Sequence, residues 1–192
     1  MIFEWAGYLS GIAILLSFVP YIRDIFRGVT KNERASWLIW TILGSISFFS
    51  QLAKGASWSL LMTGSQAIGD LVIFVLAMRY GLGGLSRKDK SGLTGAAIAL
   101  LLWYFTGEAT IALLLVILVD AIGAFLTVLK SYEHPGTETV SSWILTFLGG
   151  FLASVAVGEM NLTLLAFPVY ICLASAAILA ASKTYRSAHK AA

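Results

Sequence analysis

The chain is divided into apolar runs, each about as long as a bilayer is thick, and its charges are confined to the short stretches between them. No motif constrains the fold as tightly as this pattern. A hydrocarbon core of about 30 Å needs roughly 20 helical residues at 1.5 Å each. Of the 192 residues, 58% are hydrophobic and only 12% are charged. A soluble domain carries about 25% charged residues, so too little polar surface remains here to cover a globule in water. The sequence specifies an all-α membrane protein.

Seven spans fit the pattern, at 5–22, 37–53, 59–78, 92–106, 109–129, 141–157 and 162–182. The first run, MIFEWAGYLSGIAILLSF, has no basic leader and continues to Pro20, so it is expected to be a retained helix and not a cleaved signal. The fourth, GLTGAAIALLLWYFTG, is the least apolar. Charge placement argues for keeping it. With seven spans, Arg23, Arg27, Lys31, Arg34, Arg79, Arg87, Lys88, Lys90, Lys130, Lys183, Arg186 and Lys190 share one side, leaving only Lys54 of the thirteen basic residues opposite. The positive-inside rule then predicts an external N-terminus and a cytoplasmic C-terminus. Omitting the fourth span scatters the charges over both faces.

An internal repeat is expected as well. The second span begins SWLIWTILG, with Ser36, Trp37 and Gly44; the sixth begins SWILTFLGG, with Ser142, Trp143 and Gly150 in the same register. Ser59-Leu60-Leu61 opens the third span and Thr163-Leu164-Leu165 the seventh, and Arg79 answers Lys183 at their far ends. The expected organisation is a three-helix repeat over 1–82, a basic loop and linker helix over 83–107, and a second repeat with a short tail over 108–192. An odd linker makes the repeats parallel, related by an axis along the membrane normal, as in one class of transporters.

Residues 17–44, SFVPYIRDIFRGVTKNERASWLIWTILG, resemble the first-to-second-helix segment of the SWEET, SemiSWEET and PQ-loop superfamily. There a proline, often Pro-Gln, closes the first helix, and a short basic loop leads directly into the second. The resemblance runs through the third span and recurs in the second half. It implies the three-one-three fold with an external N-terminus, shared with nicotinamide riboside transporters, lysosomal amino-acid exporters and a cargo receptor. It also implies Pro20 as a hinge for alternating access. Pro20-Tyr21 stands in the place of Pro-Gln, and the matching position in the second half falls near Ala124. The family's cavity Trp maps near Phe48 and Ser154, and its cavity Asn near Ser65 and Val169, so the sugar-binding residues themselves are largely replaced.

The candidate chemistry is intramembrane. Asp70 and Asp120 each lie eleven residues from the outer end of a span, about 16 Å deep at 1.5 Å per residue. A charge at such depth costs roughly 2.5–3.5 kcal/mol on insertion scales, so buried acids usually face a cavity or a partner. Two carboxylates at one depth can share a proton and release it when substrate binds; the alternative is a protonated Asp bonded to a neighbouring helix as structural glue. Helical spacing brings Thr63, Gln66 and Phe74 to the Asp70 face, and Tyr170 matches Gln66 by repeat register. Trp40 is a gate or cavity candidate. Trp37 and Trp143 fit either an interfacial belt or an inner gate. Gln51 is either interfacial or part of the site, and Asn161-Leu-Thr163 is expected to be a chance sequon.

No phosphate loop, H-E-x-x-H or Ser/His/Asp set is present, so an enzyme, a cofactor and a metal are not expected, nor is nucleic acid. The expected function is a transporter of a small polar solute, proton-coupled or cation-recognising, in the plasma (inner) membrane. Its partners would be the lipid bilayer, the small-molecule substrate, protons and, as an open alternative, a second copy of the chain. The rivals are a passive sugar or vitamin facilitator and a non-transporting receptor or adaptor on the same fold.

Overall fold

A computed structural model describes residues 1–28, 34–80, 90, 94–95, 97–98, 101–102, 104–105, 108–133 and 139–188. Among these, the apolar runs become α1 (Ile2–Phe26), α2 (Arg34–Ala53), α3 (Leu60–Tyr80), α4 (Ala109–Glu133), α5 (Val140–Ala156) and α6 (Leu162–Ala188), with no strand. The fourth expected span falls partly outside the described residues; those described within it are helical. Three described helices, Ile2–Phe26, Leu60–Tyr80 and Leu162–Ser182, are long and apolar enough to cross a membrane; Trp37–Ala53, Thr110–Ala121 and Val140–Ala156 are shorter apolar stretches.

The helices turn many large apolar side chains outward and bury small and polar residues beside the apolar core. On α1 the buried side carries Ala6, Gly7, Ser10, Gly11 and Ser17, while Trp5, Leu9, Ile12, Leu15, Leu16 and Val19 are exposed. On α3, Thr63, Ser65, Gly69 and Asp70 are buried, and Ile68, Leu71, Val72 and Val75 are exposed. Large apolar residues outside, with small and polar residues buried beside Ile14, Met62 and Ile73, suit lipid, where close backbone packing adds to the cohesion of the bundle.

Glycines set those close approaches. A Cβ on Gly7 would stand 2.5 Å from the Trp58 carbonyl oxygen, and one on Gly150 would stand 2.8 Å from the Cys172 amide nitrogen. Gly11 fits against Leu61 and Ser65, and Gly149 against the Ile14 side chain. Two further glycines turn the chain. Gly55 (φ +81°) and Gly158 (φ +74°) are left-handed, allowing the abrupt reversals after α2 and α5. Asn161 then caps α6, its Oδ1 accepting from the Leu164 amide at 3.2 Å. That gives the asparagine of the sequon a structural task.

Neighbouring helices form a closed ring in the order α1, α3, α2, α4, α6, α5 and back to α1. Every packed pair is preserved when α1, α2 and α3 are exchanged with α4, α5 and α6. The centre of the ring is filled by Ile14, Leu43, Ile46, Met62, Leu113, Val116, Ala153 and Phe167, drawn from all six helices.

One end of the bundle, the turn end, holds the start of α1, both glycine turns and the start of α4. There Lys54 pairs with Glu108 at 3.3 Å. The other, basic end holds the end of α1, the start of α2 and the end of α3, where Phe26 meets Tyr80 at 5.5 Å between ring centres. Since α3 finishes at the basic end and α4 begins at the turn end, the chain between Tyr80 and Glu108 must travel the length of the bundle. Gly95 within it lies against the Val119 side chain of α4.

Candidate functional site

Asp70 and Asp120 lie about halfway along α3 and α4, on opposite sides of α2 in the ring. Asp70 is 5% exposed. Gly44 of α2 makes room for it: a Cβ there would lie 3.5 Å from Asp70 Oδ2 and 3.3 Å from the Ala67 Cα. Asp120 is half-buried and accepts a hydrogen bond of 2.5 Å from the Tyr170 hydroxyl of α6. The two carboxyl groups are close enough to act on each other electrostatically. Residues from α3, α4 and α6 thus form one acidic group of side chains in the interior.

This acidic group lies between two layers. Toward the turn end is the apolar centre containing Leu43, Val116 and Phe167. Toward the basic end, Trp37 packs against Phe18, Tyr21 and Trp40, with ring centres 6.5, 5.2 and 4.9 Å away, and with Ile25 and Ile73. The Phe18 ring covers Gly69, immediately beside Asp70, where even a methyl group would collide with it. α1 and α2 are not packed backbone to backbone, so these rings fill the space between them.

The structure separates the residues expected in the site. Gln66 stands one turn from Asp70 on the same face, its Oε1 buried without a partner. Thr63 is buried further toward the turn end, and its hydroxyl donates to the Leu60 carbonyl at 3.2 Å. Ser65 faces Gly11 of α1, and Phe48 covers Gly64, so neither belongs with the acidic pair. Trp40 borders both the apolar centre and the aromatic layer, and Phe74 belongs to the aromatic layer. Trp37 is 7% exposed, which removes it from an interfacial belt. Trp143 is half-buried near the start of α5.

Pro20 lies inside α1, and the helix continues to Phe26 instead of closing there. Tyr21 and Ile25, packed against Trp37, hold the continuation in place. Gln51, an open case in the sequence, is fully buried and donates to the Ser47 hydroxyl at 3.2 Å. Sequence reasoning missed Phe18, Tyr21 and the buried Pro168 of α6. The first two look like ordinary apolar residues until a neighbouring helix supplies Trp37. Pro168 was legible as a helix-interior proline.

Comparison with protein-family models, with curated proteins and with solved structures gave no match to this chain. Among the described residues, no group of three or more His, Cys, Asp or Glu could hold a metal ion.

Proposed function

We propose that the chain is a membrane transporter of a small polar solute, in which Asp70 and Asp120 bind a proton or a cationic group. The carrying observation is that acids from two different helices come within electrostatic reach of each other inside the bundle, with Tyr170 bonded to one of them. Such acids are costly in a membrane interior unless they do work there. The exchange symmetry of the helix ring supports a reading as two parallel three-helix repeats. The return of the chain between Tyr80 and Glu108 supports a seventh crossing, and the concentration of basic residues at one end supports placing that end in the cytoplasm.

The SWEET and PQ-loop resemblance of residues 17–44 points the same way. On this reading, the aromatic layer of Phe18, Tyr21, Trp37 and Trp40 closes the cytoplasmic end, and Pro20 lies in the helix that must bend to open it. Uptake of labelled solutes into proteoliposomes, with and without a pH gradient, tests the proposal. Gradient-dependent uptake is expected in the wild type and is lost in the Asp70→Asn/Asp120→Asn double variant. Coupled uptake that survives both changes overturns the carboxylate mechanism.

A further inference from the structure

Five polar side chains are buried toward the turn end of α2 and α3: Ser47, Ser50, Gln51, Ser59 and Thr63, each at most 1% exposed. Helix register brings them together. A Cβ on Gly44 of α2 would stand 3.3 Å from the Ala67 Cα and 3.5 Å from Asp70 Oδ2, and one on Gly64 would stand 3.3 Å from the Phe48 ring. The two helices are antiparallel. Seven residues, about two turns, from the Gly44–Asp70 contact therefore lead to Gln51 on one and Thr63 on the other. Ser47 and Ser59 lie one turn from these on the same faces, and Ser50 continues the buried line of Leu43 and Ile46. Beyond Gln51 the chain folds back at once, with the Ala56 amide donating to the Gln51 carbonyl at 3.0 Å.

This group is short of partners. Gln51 Nε2 donates to the Ser47 hydroxyl at 3.2 Å, which leaves Gln51 Oε1 as the free end of the amide. Thr63 donates to the Leu60 carbonyl at 3.2 Å, so the lone pairs of its hydroxyl stay available. Ser50 Oγ, Gln51 Oε1 and Ser59 Oγ are buried with no hydrogen-bond partner, three of the five such side-chain atoms among the described residues. A buried polar atom left unpaired costs its desolvation, and protein interiors hold few of them. Here three occur within one hairpin, and all three are oxygens.

The second half of the chain supplies an internal control. In the register that matches Ser36-Trp37 with Ser142-Trp143, the counterparts of Ser47, Ser50 and Gln51 are Ala153, Ala156 and Val157. The register of the third and seventh spans matches Thr63 with Phe167, and only Ser59 keeps a polar counterpart, Thr163. Ala153, Ala156 and Phe167 are as deeply buried as the residues they answer, at 0%, 1% and 3% exposed. Packing at these positions is therefore satisfied by apolar side chains. The hydroxyls and the amide of the first half are not there for the fold.

We propose that Ser50, Gln51, Ser59 and Thr63 bind a small monovalent cation, sodium, between the end of α2 and the start of α3. Hard cations take oxygen ligands, and a set of neutral oxygens without a carboxylate suits one charge and not two. The C-terminal end of α2, at Ala53, adds partial negative charge. Helix C-terminal ends hold coupling ions in this way in transporters with interrupted helices. Lys54, the next basic residue along the chain, is paired with Glu108 at 3.3 Å, so it does not set an unpaired positive charge against the ion. The site is separate from Asp70, which lies two turns further along α3 from Thr63. Binding rests on these residues alone; a role for sodium in driving uptake rests on the transport reading above.

The test is sodium binding to the full chain in detergent, with N-methyl-D-glucamine replacing sodium at constant ionic strength. Radiolabelled sodium should bind saturably, and the melting temperature should rise with sodium, because a ligand held only by the folded state stabilises it. Ser50→Ala/Gln51→Val installs the residues that the second half already packs, so the variant should fold. Losing a ligand should cost at least what losing an outer-shell partner does, so binding should weaken about tenfold or more and the sodium-dependent shift should disappear. Ser59→Ala, a milder change, should weaken binding about tenfold by itself. Asp70→Asn/Asp120→Asn should bind sodium as the wild type does. No saturable binding, equal melting temperatures in the two salts or unchanged affinity in the Ser50/Gln51 and Ser59 variants overturns the site and leaves these oxygens to buried water. Loss of sodium binding in the double Asn variant also overturns it, by moving the ion to the acids. Because binding is measured without a gradient, failure of this site and failure of the transport mechanism give different results.

Discussion

Tyr170 and Asp120 form the clearest pairwise interaction in the interior, a phenol of α6 donating to a carboxylate of α4. A double-mutant cycle with Tyr170→Phe and Asp120→Asn should give a coupling energy of about 1–2 kcal/mol in thermal or denaturant unfolding, the upper part of the range for interhelical bonds in membranes. A coupling near zero would remove the bond from any account of the site. Gly150 makes a different kind of residue-scale prediction. A methyl there meets the Cys172 amide nitrogen at 2.8 Å and the Pro168 carbonyl oxygen at 3.0 Å, and backbone atoms cannot swing away as a side chain can. Gly150→Ala should therefore cost about 1–3 kcal/mol, as overpacking does, read as a lowered melting temperature. Both positions stood out in the sequence, Gly150 through the repeat and Tyr170 through its register with Gln66. What each touches was not readable, because partners on other helices are set by the crossing and not by the period.

At the scale of the element, α1 is the instructive helix. Pro20 is expected to kink or end a span that closes near residue 22, yet the helix runs on through Phe26. A helix-interior proline removes one backbone bond and crowds the preceding turn, at about 3 kcal/mol or more. The continuation is held by tertiary contact, with Tyr21 and Ile25 against Trp37. Trp37→Ala should therefore destabilise the protein by about 3–5 kcal/mol, the usual cost of deleting a buried aromatic, and should loosen residues 21–26 first. Faster hydrogen exchange confined to that last turn and a half is the expected signature. Pro20→Ala is the complementary change: it should raise stability while slowing uptake if α1 bends there, and unchanged uptake would remove the hinge. Helix boundaries were otherwise legible to within a few residues, since hydropathy falls where charges begin. The failure at α1 came from a local rule overridden by a distant side chain.

At the scale of the whole molecule, chain direction gives the sharpest test. Lys54 and Glu108 are bonded at the turn end, while Arg27 follows α1 at the basic end. With Cys172 replaced by Ala, single cysteines at positions 54, 108 and 159 should react with a membrane-impermeant thiol reagent from one side, and a cysteine at position 27 only from the other. Reaction of 54 and 108 from opposite sides would remove the seventh crossing and the repeat with it. The ring of helices and its exchange symmetry were partly legible, because Ser36-Trp37 and Ser142-Trp143 opened matching spans. The ring order was not, since hydropathy says that a segment crosses and not which neighbour it crosses beside.

The sequence alone determined the all-helical architecture, the position of nearly every described helix and the two acids worth pursuing. These follow from solvation: apolar length, charge placement and the cost of burying a carboxyl act on each segment separately. Only the tertiary structure decided that Asp70 and Asp120 come within electrostatic reach of each other, that Gly44 makes room for Asp70, and that Trp37 is a buried plug and not a surface anchor. Those are relations between helices. They depend on where small residues let backbones approach, which no single segment specifies.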